Sequence, residues 1–191
     1  SGRAANSSEN GVASSCSTSF NRHRFKHYFS AEDAYKHRGK TLYIHGISVA
    51  GTQNKTIHRS GNFSFPSFPT SKVTGHIDDV YKSGSNWYAR GWACQTHYNQ
   101  SISVHLYANG PQGSGSYIAQ GTANANINSS VANACGTSGV KHTFVIPISQ
   151  SKVNQYAGAP IYAYGLSKLG TGNVLLYGSG SHSLPRPNLP P

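Results

Sequence analysis

Methionine is absent, and acids are scarce. Five Asp and Glu stand against sixteen Lys and Arg and ten His in 191 residues. Charged residues make up 11% of the chain, less than half of the roughly 25% usual in soluble domains. Tryptophan occurs twice and cysteine three times. No run of about 18 apolar residues is present, so no helical membrane span is expected. No secretory leader pattern opens the sequence, and with Met missing the chain is expected to begin inside a longer or processed polypeptide.

The missing motifs exclude whole classes of chemistry. There is no His-Glu-x-x-His, no Cys-x-x-Cys, no Gly-x-Ser-x-Gly elbow and no glycine-rich phosphate loop followed by Lys. Asp78 and Asp79 are the only acids after residue 70. Neighbours on a strand point to opposite faces, so they make a poor general acid and base pair. A turn or hydrogen-bonding role is expected for them, with calcium binding as the alternative. The histidines lack metal-site spacing; His23 and His27 come nearest, four apart. No catalytic residue, metal or cofactor is expected.

What is there is small, polar and aromatic: 21 Gly, many Ser, Thr and Asn, 12 Tyr and 7 Phe. The chain also repeats itself. Residues 12–66 align with 131–185 at a constant offset of 119, without a gap and with 19 identities in 55 positions. Val12-Ala-Ser-Ser-Cys16 matches Val131-Ala-Asn-Ala-Cys135, and His23 and Phe25 match His142 and Phe144. Tyr43, Gly46 and Ser48 match Tyr162, Gly165 and Ser167, and Gly51, Thr52, Asn54, Ser60, Gly61, Ser64 and Pro66 recur likewise. A fixed-period repeat marks a stacked or tandem architecture. Residues 1–70 read as the C-terminal half of a first module and 71–191 as a complete second one, joined by a proline-stiffened linker at Pro66–Lys72. The missing front half is either cut away or supplied by another chain.

The complete module reads as short strands with period two. Ser101–Asn109 places Ile102, Val104, Leu106 and Ala108 inward and Ser103, His105 and Tyr107 outward. Strands are also expected over 86–94, 117–120, 142–148, 160–166 and 174–177, with a short helix near 149–155 and a helix-prone counterpart at 31–35. Frequent Gly- and Asn-rich turns make the fold all-β, with Ig-like β-sandwich modules in tandem, one complete and one partial. Cys94 is expected to pair with Cys135. Cys16, the register equivalent of Cys135, would have its partner before residue 1, which accounts for the odd count; a catalytic thiol is the alternative. A disulfide implies an oxidising compartment.

Binding candidates follow from chemistry. Sugars stack on flat aromatics rimmed by amides and hydroxyls, which points to Trp87, Tyr88, Tyr107 and Tyr117. Trp92, beside Cys94, reads as core packed on the disulfide, and Trp87 lies off that face. The first copy interleaves cations with aromatics at Arg22, Arg24 and Lys26, and again at Arg38 and Lys40. The net charge of +11 attracts anionic partners, glycan or another cell-surface polymer ahead of nucleic acid. The second copy has Thr143 and Ala157 where the first has Arg24 and Arg38, so these charges serve the first copy alone.

The string Gly75-His-Ile-Asp-Asp-Val80, Gly91-Trp-Ala-Cys94, Val131-Ala-Asn-Ala-Cys135 and Ile161-Tyr-Ala-Tyr-Gly165 resembles a bacterial extracellular module appended to secreted glycosidases, peptidases and large surface proteins. The resemblance implies an accessory, non-catalytic role within a larger extracellular or cell-surface parent chain. An acid often follows Gly-Trp-Ala-x in such modules; here Gln95 stands there. A glycan-binding or adhesion module is the leading expectation. A structural spacer and a fragment of a secreted hydrolase or toxin are the alternatives.

Overall fold

The structure is a computed structural model; it describes residues 12–17, 24–138 and 140–186. In chain order the elements are α1 (Val12–Ser15), α2 (Ala31–Lys36), β1 (Thr41–Leu42), β2 (His45–Gly46), β3 (Lys55–Thr56), β4 (Phe63–Ser64), β5 (Val73–Ser83), β6 (Asn86–Gln95), β7 (Ser103–Ala108), β8 (Ser116–Thr122), α3 (Ser129–Cys135), β9 (Thr143–Ile148), α4 (Gln150–Gln155), β10 (Ile161–Gly165) and β11 (Val174–Leu175). The fold is all-β, built from antiparallel sheets with a few short helices.

After residue 70 the strands form two sheets, one ordered β5-β6-β9 and the other β11-β10-β7-β8. One core joins them. Ile77, Ala89, Ala93, Phe144 and Ile146 enter it from the first sheet, and Val104, Leu106, Ile161 and Ala163 from the second. Hydrophobic alternation therefore does what it predicts in β7, where Val104, Leu106 and Ala108, with Ile102 just before the strand, are fully buried. The β5–β6 hairpin closes at Ser83 and Asn86, and Gly84 between them has φ 59°, the left-handed backbone that two-residue hairpin loops require. The Cys94–Cys135 disulfide ties β6 to α3.

Two local expectations change. On β6, Ala89, Gly91 and Ala93 face the core and Trp87 packs against it, while the half-buried Trp92 alternates to the other side. The reason is space. A Cβ on Gly91 would overlap the His76 carbonyl oxygen and lie 2.7 Å from the Phe144 ring, so the core side of this strand holds only small residues opposite Phe144. On β5, the pairing register slips between Ile77 and Asp79. This bulge leaves both acids accessible to solvent: Asp78 bonds His76 Nδ1 at 2.9 Å, and Asp79 accepts from Arg90 at 3.3 Å.

Helix α3 was not apparent from hydrophobic period. Its signals are caps: the Asn128 side chain accepts from the Val131 amide, and Gly136 takes the left-handed C-terminal position at φ 63°. The expected helix near 149–155 is α4, and α2 is its counterpart one period earlier.

The repeat carries through to hydrogen bonds. Thr41 pairs with Ser64 as Pro160 does with Ser183, and His45 pairs with Thr56 as Tyr164 does with Leu175. Ser30 caps α2 as Ser149 caps α4. The Ser48 amide bonds Asn54 Oδ1 at 3.0 Å, and the Ser167 amide bonds Asn173 Oδ1 at 3.0 Å. The Ile44 amide donates to Ser60 Oγ as the Ala163 amide donates to Ser179 Oγ.

Candidate functional site

The outer face of the four-stranded sheet carries an aromatic platform. In strands, residues two apart and residues directly opposite share a face. His105 and Tyr107 of β7 lie opposite Tyr164 and Tyr162 of β10, and Tyr107 lies opposite Tyr117 of β8. The β7–β8 register slips next to Tyr107, which turns Tyr117 outward while Ile118 stays buried. Tyr107 and Tyr117 meet edge-to-face at 5.9 Å, Tyr107 and Tyr164 at 5.8 Å, and His105 and Tyr117 at 5.6 Å. Tyr107 is nearly buried by its neighbours, whereas Tyr117 remains 46% exposed. Gln120 sits opposite His105 and adds an amide to the rim. The rings stand at 75° to 80° to one another, so the accessible apolar surface is mainly the Tyr117 ring, with imidazole and amide groups beside it.

The other candidates lie elsewhere. Tyr88 is on the three-stranded sheet, stacked on Tyr81 at 5.7 Å, with the Arg90 guanidinium 5.0 Å from the Tyr81 ring. Trp87 packs against the core, so its ring is largely committed. In the first copy Arg38 lies over the Tyr35 ring at 4.3 Å and donates to the Tyr35 carbonyl, a structural engagement. Lys26 stands 5.0 Å over Tyr28, and both are exposed, as are Arg24 and Lys40. Arg22 lies outside the described residues. Of the binding candidates read from the sequence, Tyr107 and Tyr117 fall in this aromatic cluster, and His105, Tyr162 and Tyr164, not among them, join it. The signal for these three was present: Tyr162-x-Tyr164 and His105-x-Tyr107 alternate on strands whose inward residues are apolar.

No family model and no curated protein matches the chain.

Two further polar features are internal. Gln95 is fully buried. Its Nε2 donates to Thr171 Oγ1 at 2.9 Å and Ser167 Oγ at 3.2 Å, and its Oε1 accepts from the Lys168 amide at 2.8 Å. The residue that stands where an acid was expected is therefore a strut for the 167–171 loop. His142 is also buried, with Nε2 2.9 Å from Thr137 Oγ1 and Nδ1 without a partner. Burial holds its pKa below the usual histidine range. Among the described residues no group of His, Cys, Asp and Glu is arranged to hold a metal ion. An apolar cleft of about 150 Å³ lies between α2 and the second copy, lined by Ala31, Tyr35, Phe68, Tyr98 and Leu169 among others.

Proposed function

We propose that this chain is part of an exported tandem array of Ig-like sandwich modules, and that its complete module is a non-catalytic binding or adhesion unit for extracellular glycans. The observation that carries the reading is the platform of Tyr107, Tyr117, Tyr162, Tyr164 and His105 on an otherwise polar sheet face. The half-exposed Tyr117 ring offers an apolar face for a sugar, and the neighbouring phenols and the Gln120 amide can bond its hydroxyls. The disulfide fits an oxidising, extracellular location. Among the described residues no helix is long and apolar enough to span a membrane. The net charge of +11 favours anionic polymers among possible glycans, and the resemblance to modules of secreted bacterial enzymes and surface proteins agrees with an accessory role.

A glycan array at low and high salt tests the reading. Tyr117→Ala is the informative variant, because this ring is half exposed and its loss spares the core. A binding aromatic is worth about 2 kcal/mol, so affinity for every bound glycan should fall about thirtyfold while a single cooperative unfolding transition is retained. An array with no hits, or hits indifferent to Tyr117→Ala, overturns the glycan reading and leaves a spacer role.

A further inference from the structure

We infer that the first copy presents an open core, and that its natural cover is the front half of a module of this same kind, placed ahead of Ser1 in the same polypeptide and disulfide-bonded to Cys16. The second copy supplies the comparison. Phe25, Phe29 and Ile57 are 40% to 44% exposed, whereas Phe144, Ile148 and Leu176, at the same register positions, are 0% to 3% exposed. Leu42, Ile44 and Phe65 are half-buried, while their equivalents Ile161, Ala163 and Leu184 are buried. Their register equivalents in the second copy belong to one core cluster, and in the first copy the Phe29 and Phe65 rings already meet at 4.8 Å.

What covers this surface in the second copy is known. Strands β5 to β8 close the core, and β10 pairs with β11 on one edge and β7 on the other. In the first copy β1 and β2 pair with β4 and β3, and among the described residues no strand occupies the other edge. An open strand edge beside an exposed apolar face is the geometry of strand addition. Cys135 is bonded to Cys94, 41 residues earlier in the chain. Cys16, its register equivalent, is exposed and unbonded.

Connectivity favours a cover in the same polypeptide. In the second copy the front half runs through residues 123–128 into α3, and α1 stands at the register position of α3. A preceding half would enter by the same short path, at the high effective concentration of an intramolecular partner. The cover should consist of four alternating strands with a cysteine 41 residues before Cys16.

The inference rests on the tandem-module reading and is independent of what the tyrosine platform binds. The test compares the present chain with one carrying the residues its gene places ahead of Ser1. Peptide mapping without reduction should find Cys16 joined to a cysteine upstream. Amide exchange over residues 41–46 should slow at least about tenfold, and the longer chain should stay monomeric. The Cys16→Ser form of the longer chain should retain most of that protection, since packing makes the cover and the bond fastens it. A gene encoding no such half-module ahead of Ser1, exchange that stays fast in the longer chain, or protection that appears only in a dimer each overturns the inference. Glycan binding through Tyr117 is read on 103–165 and is unaffected by any of these results.

Discussion

Gly91 sits where three groups converge. Any side chain there would run into the His76 carbonyl of the neighbouring strand and the Phe144 ring behind it. Both are held by the core and cannot swing away, so Gly91→Ala must part β5 from β6 or displace Phe144. Overpacking of this kind costs about 1–3 kcal/mol or more, and the denaturation midpoint of the chain should fall accordingly, with an unchanged midpoint counting against the clash. His142 makes a second prediction. The arrangement that satisfies most groups has Nε2–H donating to Thr137 Oγ1, whose hydroxyl donates to the Ala132 carbonyl at 3.4 Å. A proton added to Nδ1 would find no acceptor. The folded pKa is lowered by burial, so the full stabilisation is present above about pH 6.5, the unfolded value. It is lost as pH falls below that value, by up to about 1.4 kcal/mol per pH unit until the folded pKa is reached. Thermal midpoints from pH 7.5 to 5 should drop more steeply for the wild type than for His142→Gln; parallel slopes would remove His142 from the account. The sequence showed that His142 and Phe144 recur as His23 and Phe25. It could not show burial, which depends on α3 and Thr137 closing over the ring.

At the scale of elements, the recurring side chains are mainly those that bond or shape backbone. Ser30 and Ser149 cap helices, Ser48 and Ser167 hold their loops, and Ser60 and Ser179 fix the strand behind them. Gly39, Gly51 and Gly61 recur as Gly158, Gly170 and Gly180, all at positive φ. Core positions instead exchange one apolar residue for another, as Leu42 and Ile161 do. The repeat was therefore legible because local geometry admits few residue types. The bulges beside Asp79 and Tyr107 were not legible, since both depend on the facing strand. The Ser167–Thr171 loop rests on the buried Gln95, and the repeat supplies an internal control for that strut. Gln95→Ala removes the hydrogen bonds to Thr171, Ser167 and Lys168 and leaves the Lys168 amide without its acceptor. A loss of about 2–3 kcal/mol is expected, together with faster exchange at Lys168. The matching Ser48–Thr52 loop has the same internal bonds and, among the described residues, no Gln95 equivalent. Its exchange should not respond, and a response there would mean that the variant acts through the whole fold rather than through this loop.

Across the whole molecule the two copies share local bonds but not a core. Among residues 24–70 Tyr35 alone is buried, and its hydroxyl accepts from the Ser71 amide at 2.7 Å. The second copy buries a continuous apolar cluster between two sheets and holds it with a disulfide. Hydrogen bonds alone contribute little net stability because water competes for the same groups, so equal local bonding does not imply equal stability. The decisive term is apolar burial, and it lies almost wholly after residue 70. Native-state amide exchange should therefore split the chain. Amides of β6, β7 and β10 should open only with global unfolding, while those of β1 to β4 should exchange orders of magnitude faster. Within the first copy, α2 should be the slowest segment because Tyr35 fastens it to Ser71. Tyr35→Phe removes that acceptor and strands a buried donor, so it should speed exchange at Ser71 and across α2 while leaving β7 untouched. Protection of β1 to β4 equal to that of β7 would mean that the short ladders are stable without a core and that apolar burial is not the decisive term.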